Sequence, residues 1–169
     1  MRWSVARRAA GPLLLGALLV SGCKVEEPLP TKPLDLPVKT VKAVEIVAAP
    51  AGEVGPTVKR ELARARADGR RLLVYVGASW CEPCQRFHDA AAAGELDTVF
   101  PGLRLLEFDL DRDRDALEKA GYVSKMIPLF ALPKDDGTGT GEQIEGSIKG
   151  PGAVLQIQPR LQALLDKAR

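Results

Sequence analysis

The chain has 169 residues, of which 46% are hydrophobic and 27% are charged, and its formal net charge is +2. This length suits one ordinary globular domain and is too short for several. Nucleic-acid binding is excluded as a main function, because the sequence has no basic stripe and no basic patch interleaved with aromatic residues.

The first 22 residues are typical of an export signal, with three arginines ahead of a short apolar core at residues 13–20 and two small residues after it. That core is shorter than the roughly 20 apolar residues that span a bilayer. Removal of residues 1–22 takes three arginines from the 24 basic residues, which leaves 21 against 22 acidic residues and a net charge of −1. The basic character of the whole chain therefore comes from the signal.

The residue after this signal is Cys23, and the sequence LVSGC resembles the lipobox of bacterial lipoproteins. In that family the cysteine is acylated and becomes the mature N-terminus. The resemblance implies a lipoprotein held in a bacterial cell envelope, facing the periplasm, by several acyl chains, since one chain alone binds membranes only marginally. The residue after Cys23 is Lys24 and not aspartate, which resembles the pattern of lipoproteins that are sorted to the outer membrane. The competing interpretation is an ordinary secretory signal followed by an incidental cysteine.

Residues 23–52 are predicted to form a stalk. Prolines block helix formation and favour extended chain, and the segment has them at positions 28, 30, 33, 37 and 50. Within it, residues 38–47 (VKTVKAVEIV) are rich in β-branched side chains. They could instead form the first strand of the domain, at an edge of its sheet.

The folded domain is expected at residues 53–169, where apolar runs and helical patterns alternate. The predicted helices cover residues 56–69, 81–93, 114–122 and 153–168, and Pro159 should kink or interrupt the last of them. The predicted strands cover residues 72–76, 103–110, 129–132 and 143–148. This order predicts an α/β fold in which helices cover both faces of a mixed sheet.

Cys81 and Cys84 are the two cysteines that remain after Cys23, so this exported chain is not a disulfide-stapled scaffold. A helix that begins near Cys81 places this thiol at the positive end of the helix dipole, which lowers its pKa and favours the thiolate. The pattern predicts Cys81 as a solvent-facing nucleophile. Cys84, one turn further along, is predicted to be the resolving thiol, which releases a mixed disulfide by attacking Cys81.

The sequence LLVYVGASWCEPC, residues 72–84, resembles the strand and active-site turn of the thioredoxin superfamily, whose members share a Trp-Cys-x-x-Cys motif. The resemblance covers residues 55–169 in element order. It implies a thioredoxin-like fold, thiol-disulfide exchange with envelope proteins, and no cofactor beyond the redox-active cysteine pair. A monomer is expected.

The same resemblance assigns the substrate-binding residues. Trp80 stands where the family keeps its tryptophan and is expected at the rim of the substrate site. The family has a cis-proline loop facing the cysteines, and residues 124–128 (SKMIP) match it. Because cis peptide bonds are essentially confined to X-Pro, Pro128 is expected to be cis and, with Ile127, to shape the peptide-binding groove.

Two positions depart from the family pattern. Many thioredoxins have a buried aspartate six residues before the first cysteine, where it helps to move protons to the second; here that residue is Tyr75. The family's strand lysine corresponds to Glu107. We hypothesise that Glu107 partly replaces the missing acid as the proton acceptor for Cys84.

The dipeptide Glu82-Pro83 lies between the cysteines and is expected to modulate their reduction potential. A carboxylate beside Cys81 raises the pKa of this thiol, which destabilises the reduced form and favours the reducing half of the family range, about −270 to about −120 mV. The tetrapeptide Cys-Glu-Pro-Cys also resembles anchored reductases of cytochrome c maturation, which usually carry an insert that this chain lacks. A reductase in the periplasm needs an upstream electron donor.

Metal binding is the competing interpretation of the cysteine pair. Structural zinc needs four ligands, and the mature chain offers two paired cysteines and His88. Cu(I) suits two thiolates, so a non-enzymatic module that carries copper or holds a partner is the alternative function. His88 is expected to be a surface helix residue, and the aspartates at positions 109, 111, 113 and 115 a solvated face. The sequence GTGTG, residues 137–141, is expected to be a hairpin.

Overall fold

The computed structural model describes residues 42–168. The predicted signal (residues 1–22), Cys23 and the stalk as far as residue 41 lie outside the described residues. The elements follow the order β1 (Glu45–Ala48), α1 (Val54–Ala67), β2 (Arg71–Gly77), α2 (Glu82–Ala92), β3 (Leu103–Asp109), α3 (Leu110–Lys119), β4 (Leu129–Pro133), β5 (Gly139–Glu145) and α4 (Ala153–Asp166). None of the helices within this part of the chain is long and apolar enough to cross a bilayer.

The five strands form one sheet in the order β1-β3-β2-β4-β5. β1, β3 and β2 run parallel, whereas β4 is antiparallel to β2 and to β5. Residues of α1 and α3 belong to the core cluster on one face of this sheet, and residues of α2 and α4 to the cluster on the other. The predicted mixed sheet with helices on both faces is therefore confirmed.

β2 is continuously apolar because it lies in the middle of this sheet. Leu72, Val74 and Val76 pack into the core under α1 and α3. Leu73 and Tyr75, whose side chains alternate with them, pack into the core under α2 and α4. All five are at most 5% exposed. This rigid strand leads directly into the turn that carries the two cysteines.

β1 lies within the segment that was assigned to the stalk. Residues 45–48 pair in parallel with β3, as an edge strand, so the sheet begins before residue 53. Ile46 packs into the core of one face and Val47 into the core of the other. Partial burial on both faces explains why this part of the segment forms a strand, the alternative that its β-branched residues indicate.

α3 begins earlier than predicted because Asp109 caps it. The Asp109 Oδ1 accepts hydrogen bonds from the backbone N of Asp111 at 2.9 Å and of Arg112 at 3.0 Å. Asp113 is 4% exposed and accepts from the Asp109 backbone N at 3.1 Å and from Arg112 Nη2 at 2.7 Å. The prediction of a solvated acidic face is therefore wrong at Asp113, which a guanidinium and a backbone amide hold in a buried position.

The two C-terminal elements also differ from the prediction. α4 runs through Pro159 without interruption. Because proline has no N–H, the carbonyl of Leu155 loses its helical hydrogen-bond donor. Leu155 and Pro159 are both exposed, so water can supply the missing hydrogen bond. β5 ends before Gly146, since this residue has a φ of 68° and turns the chain. The glycine-rich residues 137–141 lie in the predicted hairpin of β4 and β5: residues 137 and 138 belong to its turn, and residues 139–141 are the first three of β5.

Candidate redox site at Cys81 and Cys84

Cys81 and Cys84 form a disulfide at the start of α2. Cys81 is the N-cap residue, with extended backbone angles, and its Sγ accepts a hydrogen bond from the Cys84 backbone N at 3.3 Å. Pro83 occupies the first turn of α2. The backbone N–H that proline lacks would have no partner within the helix at this position, so no helical hydrogen bond is lost. The local sequence thus places the Cys81 sulfur at the positive end of the helix, an arrangement that stabilises a thiolate once the disulfide is reduced.

Cys81 opens onto a groove of about 410 Å³ that Trp80, Met126 and Ile127 help to line. The expectation of a solvent-facing Cys81 is wrong in one respect: the residue is only 4% exposed, so a substrate reaches it along the groove. Trp80 is 63% exposed, and its Nε1 donates to Asp111 Oδ2 at 2.8 Å. This hydrogen bond holds the indole at the rim of the groove, where the sequence resemblance places it.

The Ile127–Pro128 peptide bond is cis, as expected from the sequence. Pro128 is buried, and its carbonyl accepts a hydrogen bond from the Gly146 backbone N at 2.9 Å. Ile127 lines the groove, whereas Pro128 is not among its lining residues. Of this pair, the structure therefore puts Ile127 at the groove surface and Pro128 behind it.

Cys84 opens onto a separate cavity of about 490 Å³, whose lining includes His88, Glu107 and Asp109 but not Cys81. Cys84 is 3% exposed. The two cysteines, although joined by a disulfide, therefore face different surroundings: a partly apolar groove for Cys81 and a cavity with titratable side chains for Cys84.

His88 and Glu107 form an ion pair in the cavity beside Cys84, with 2.7 Å between Nε2 and Oε1. Their side chains are 36% and 28% exposed. The hydrogen bond with Glu107 is the largest cause of a raised pKa for His88, and burial opposes it. His88 lies on α2 and is partly exposed, as predicted for a surface helix residue, but its ring also bonds to Glu107 of β3, a contact that helical spacing alone does not reveal.

Tyr75 is fully buried and lies opposite Glu107 in the register of β2 and β3. A Cβ placed on Gly77 would lie 3.1 Å from the Tyr75 Oη and 3.6 Å from the Cys84 Cβ, so the hydroxyl and the second cysteine border the same point beside Gly77. The ring packs among three others, with centroid distances of 5.0 Å to Phe130, 5.6 Å to His88 and 6.1 Å to Phe87. Nothing in the sequence spacing showed this arrangement.

Glu82 does not act alone on Cys81. Its Oε1 accepts from Arg86 Nε at 2.8 Å and from the Gly150 backbone N at 3.2 Å. The hydrogen bond from Arg86 is the largest cause of the lowered pKa of Glu82. The positive charge of Arg86 partly offsets the negative charge of Glu82. Glu82 therefore raises the pKa of Cys81 less than expected from the sequence.

No cluster of three or more His, Cys, Asp and Glu side chains in residues 42–168 has an arrangement that could hold a metal ion. His88, the residue that the sequence offers as a metal ligand beside the two cysteines, bonds to Glu107.

A family model described as Thioredoxin-like matches residues 54–131, which span β2, both cysteines and the cis proline. The mixed sheet with helices on both faces, the cysteine pair at the start of α2 and the cis bond are features that the sequence resemblance implied. The domain has the thioredoxin fold.

Proteins similar to this chain include two plant proteins, each named thioredoxin H-type. The one from Oryza sativa subsp. indica is 31% identical over 75 residues, which is 44% of this chain and 58% of that protein. The one from Populus jackii is 27% identical over 107 residues, which is 63% of this chain and 69% of that protein. The chain thus matches less than two thirds of the rice protein.

Solved structures that align with this chain include two thioredoxins. Trichomonas vaginalis thioredoxin aligns with a TM-score of 0.45 and 23% identity, over 73% of this chain and 97% of that chain. Oxidized thioredoxin O1 from Arabidopsis thaliana aligns with a TM-score of 0.44 and 17% identity, over 75% of this chain and 97% of that chain.

Glu107→Gln should change how the stability of the oxidised full chain depends on pH. Because the folded protein raises the pKa of His88, the pair stabilises the fold fully below about pH 6.5 and loses this contribution as the pH rises through the raised value. We expect the variant to lose up to about 1 kcal/mol of unfolding free energy near pH 6, and much less near pH 8.5, since partly exposed ion pairs are weak. Urea denaturation at both pH values measures this.

The control for this prediction is Glu118→Gln, which removes the same charge from an exposed position on α3. It should keep the pH dependence of the wild type. Equal losses at both pH values in the Glu107 variant would mean that the ion pair does not control the titration of His88.

Proposed function

We propose that this chain is a thiol-disulfide oxidoreductase that reduces protein disulfides in a bacterial cell envelope. The observation that carries the proposal is the position of the Cys81 sulfur, which caps α2, accepts a hydrogen bond from the Cys84 backbone N and opens onto a groove lined by Trp80 and Ile127. The match of residues 54–131 to the Thioredoxin-like family model supports it.

The reaction transfers two electrons and two protons from the cysteine pair to the substrate. The Cys81 thiolate attacks a substrate disulfide; a mixed disulfide forms and one substrate sulfur leaves as a thiolate, which takes up a proton. Cys84 then loses its proton and attacks the Cys81 Sγ, which closes the Cys81–Cys84 disulfide and releases the second substrate sulfur. A dithiol donor in the periplasm must reduce the pair before the next cycle.

We propose that the His88–Glu107 pair accepts the proton that Cys84 loses in the resolving step. All three side chains line the same cavity, and the 2.7 Å contact lets the pair share an incoming proton. This assignment refines the hypothesis made from the sequence: Glu107 serves together with His88, and not as an isolated carboxylate.

The groove indicates the form of the substrate. It lies between the turn after β2 and the loop before β4, and both Trp80 and Met126 present large, exposed apolar surfaces in it. Such a groove suits an extended polypeptide segment that carries an oxidised cysteine. We therefore propose disulfide-bonded proteins of the envelope as substrates.

The location in the cell is part of the same proposal. A lipidated Cys23 would anchor the chain, facing the periplasm, in the outer membrane in preference to the inner membrane, and residues 24–41 would hold the domain away from the lipid. Cys23→Ala should abolish incorporation of labelled palmitate and move the protein from the membrane fraction to the soluble fraction. A variant that stays acylated, or stays in the membrane fraction, would contradict the anchor.

Cys81→Ser and Cys84→Ser should fail at different steps. Cys81→Ser removes the nucleophile and should abolish both reduction and mixed-disulfide formation, whereas Cys84→Ser should trap a mixed disulfide with the substrate, because the resolving thiol is missing. Reduction of insulin by the full chain with dithiothreitol as donor, followed by non-reducing electrophoresis, measures both effects. Cys23→Ser is the control and should keep the wild-type rate. A wild type that reduces insulin no faster than dithiothreitol alone but retains about one Cu(I) per chain would favour the copper-carrying alternative.

Glu107→Gln should slow the resolving step. With the shared acceptor gone, the Cys84 thiol deprotonates less readily, so we expect a rate loss of about 100-fold, the lower end of the range for general base catalysis, and a pH profile displaced to higher pH. Stopped-flow measurement of substrate thiol release from the mixed disulfide detects this. Glu118→Gln should leave the rate unchanged. If Glu107→Gln kept both the rate and the pH profile of the wild type, Glu107 would have no part in the reaction.

A further inference from the structure

Tyr75 carries a buried hydroxyl that has no hydrogen-bond partner while the cysteines are joined in a disulfide. Among the buried side-chain nitrogen and oxygen atoms of residues 42–168, the Tyr75 Oη is the one that lacks a hydrogen-bond partner. Buried polar groups are almost always hydrogen-bonded, since an unpartnered one destabilises the fold. Any state of the protein that offers the hydroxyl an acceptor therefore removes this cost.

The surroundings of Tyr75 restrict where its hydroxyl can point. Rings of Phe87, His88 and Phe130 pack around it, so the side chain cannot swing out to solvent. The Oη and the Cys84 Cβ border the same point beside Gly77, where an added Cβ would lie 3.1 Å from the first and 3.6 Å from the second. The hydroxyl is therefore held on the side of Gly77 that Cys84 also faces.

Tyr75 remains a donor throughout the pH range in which the protein works. Burial is the largest cause of a raised pKa for Tyr75, and the charge of Glu107 raises it further. The hydroxyl therefore keeps its proton and cannot act as a base. A disulfide sulfur is a weak acceptor, whereas a thiolate is a charged one, and hydrogen bonds to charged groups are the stronger kind.

We propose that the Tyr75 hydroxyl donates a hydrogen bond to the Cys84 Sγ when the cysteine pair is reduced. The inference rests on the proposed function, since it concerns the reduced state of the same pair. The hydrogen bond stabilises the Cys84 thiolate and, with it, the reduced protein relative to the disulfide. Tyr75 thereby makes the resolving cysteine available at lower pH and makes the reduction potential less negative.

Tyr75 acts as a hydrogen-bond donor in the resolving step and gives up no proton. The proton of Cys84 passes to the His88–Glu107 pair, Tyr75 keeps its own proton, and the thiolate attacks the Cys81 Sγ. As the new S–S bond forms, the leaving substrate sulfur takes up a proton and the Tyr75 hydroxyl loses its acceptor. The charged and titratable groups that line the cavity around Cys84 are His88, Asp89, Glu107, Asp109 and Arg112.

Tyr75→Phe tests the inference, measured in the full chain with Cys23→Ser so that one cysteine pair exchanges. The variant and its parent are equilibrated in glutathione buffers. We expect the equilibrium constant to shift about tenfold toward the disulfide, the effect of one hydrogen bond to a charged group, which corresponds to about 30 mV more negative. Thiol release from the mixed disulfide should also require a higher pH than in the parent.

The stability of each redox state gives a second readout. The oxidised variant should unfold at the same or a higher urea concentration than the oxidised parent, because it loses an unpartnered hydroxyl, while the reduced variant should unfold at a lower one. Tyr122→Phe is the matched control: its hydroxyl is also buried but donates to the Gly137 carbonyl at 2.9 Å. That variant should be destabilised alike in both redox states and should keep the parent's potential.

The outcomes separate this inference from the proposed function. If Tyr75→Phe keeps the parent's equilibrium constant, or changes the stability of both redox states equally, the hydrogen bond is absent while disulfide reduction stands. If the parent neither exchanges with glutathione nor reduces insulin, the proposed function fails and the inference falls with it.

Discussion

The hydrogen bond from the Cys84 backbone N to the Cys81 Sγ is the interaction on which the rest of the site depends. It makes a cysteine the N-cap of α2, so the helix begins between the two sulfurs and its positive end lies at the first of them. The strand before this turn is buried on both faces and fixes where the turn occurs. One helix start thus sets the position, the electrostatic environment and the spacing of both cysteines.

That arrangement divides the chemistry between two surroundings. Cys81 meets the groove, where Trp80 and Ile127 offer an apolar surface to a substrate chain, while Cys84 meets a cavity in which His88 and Glu107 can take up its proton. A nucleophile needs access to substrate, and a resolving thiol needs a route for its proton; each cysteine has the environment that suits its part. Tyr75 belongs to the surroundings of Cys84. By the proposed hydrogen bond, its hydroxyl stabilises the reduced state, since the disulfide does not accept this bond.

The sequence predicted the parts of this site that depend on local pattern. The apolar run of β2, the cysteines at a helix start and the cis Pro128 could all be read from short segments or from the resemblance they carry. Contacts between distant segments could not: the register that sets Tyr75 opposite Glu107 is a property of the assembled sheet. For the same reason the edge strand β1, whose partner lies far along the chain, was left as an alternative, and the burial of Asp113 was missed.

The most direct test of the account is the reduction potential of the Cys81–Cys84 pair in the full chain, determined by equilibration in glutathione and dithiothreitol buffers. A reductase with this site should show a value near or below about −220 mV, which means that it passes electrons to substrates and depends on a donor. A value near about −120 mV would mean that the pair donates its disulfide, and would contradict the proposed direction of the reaction.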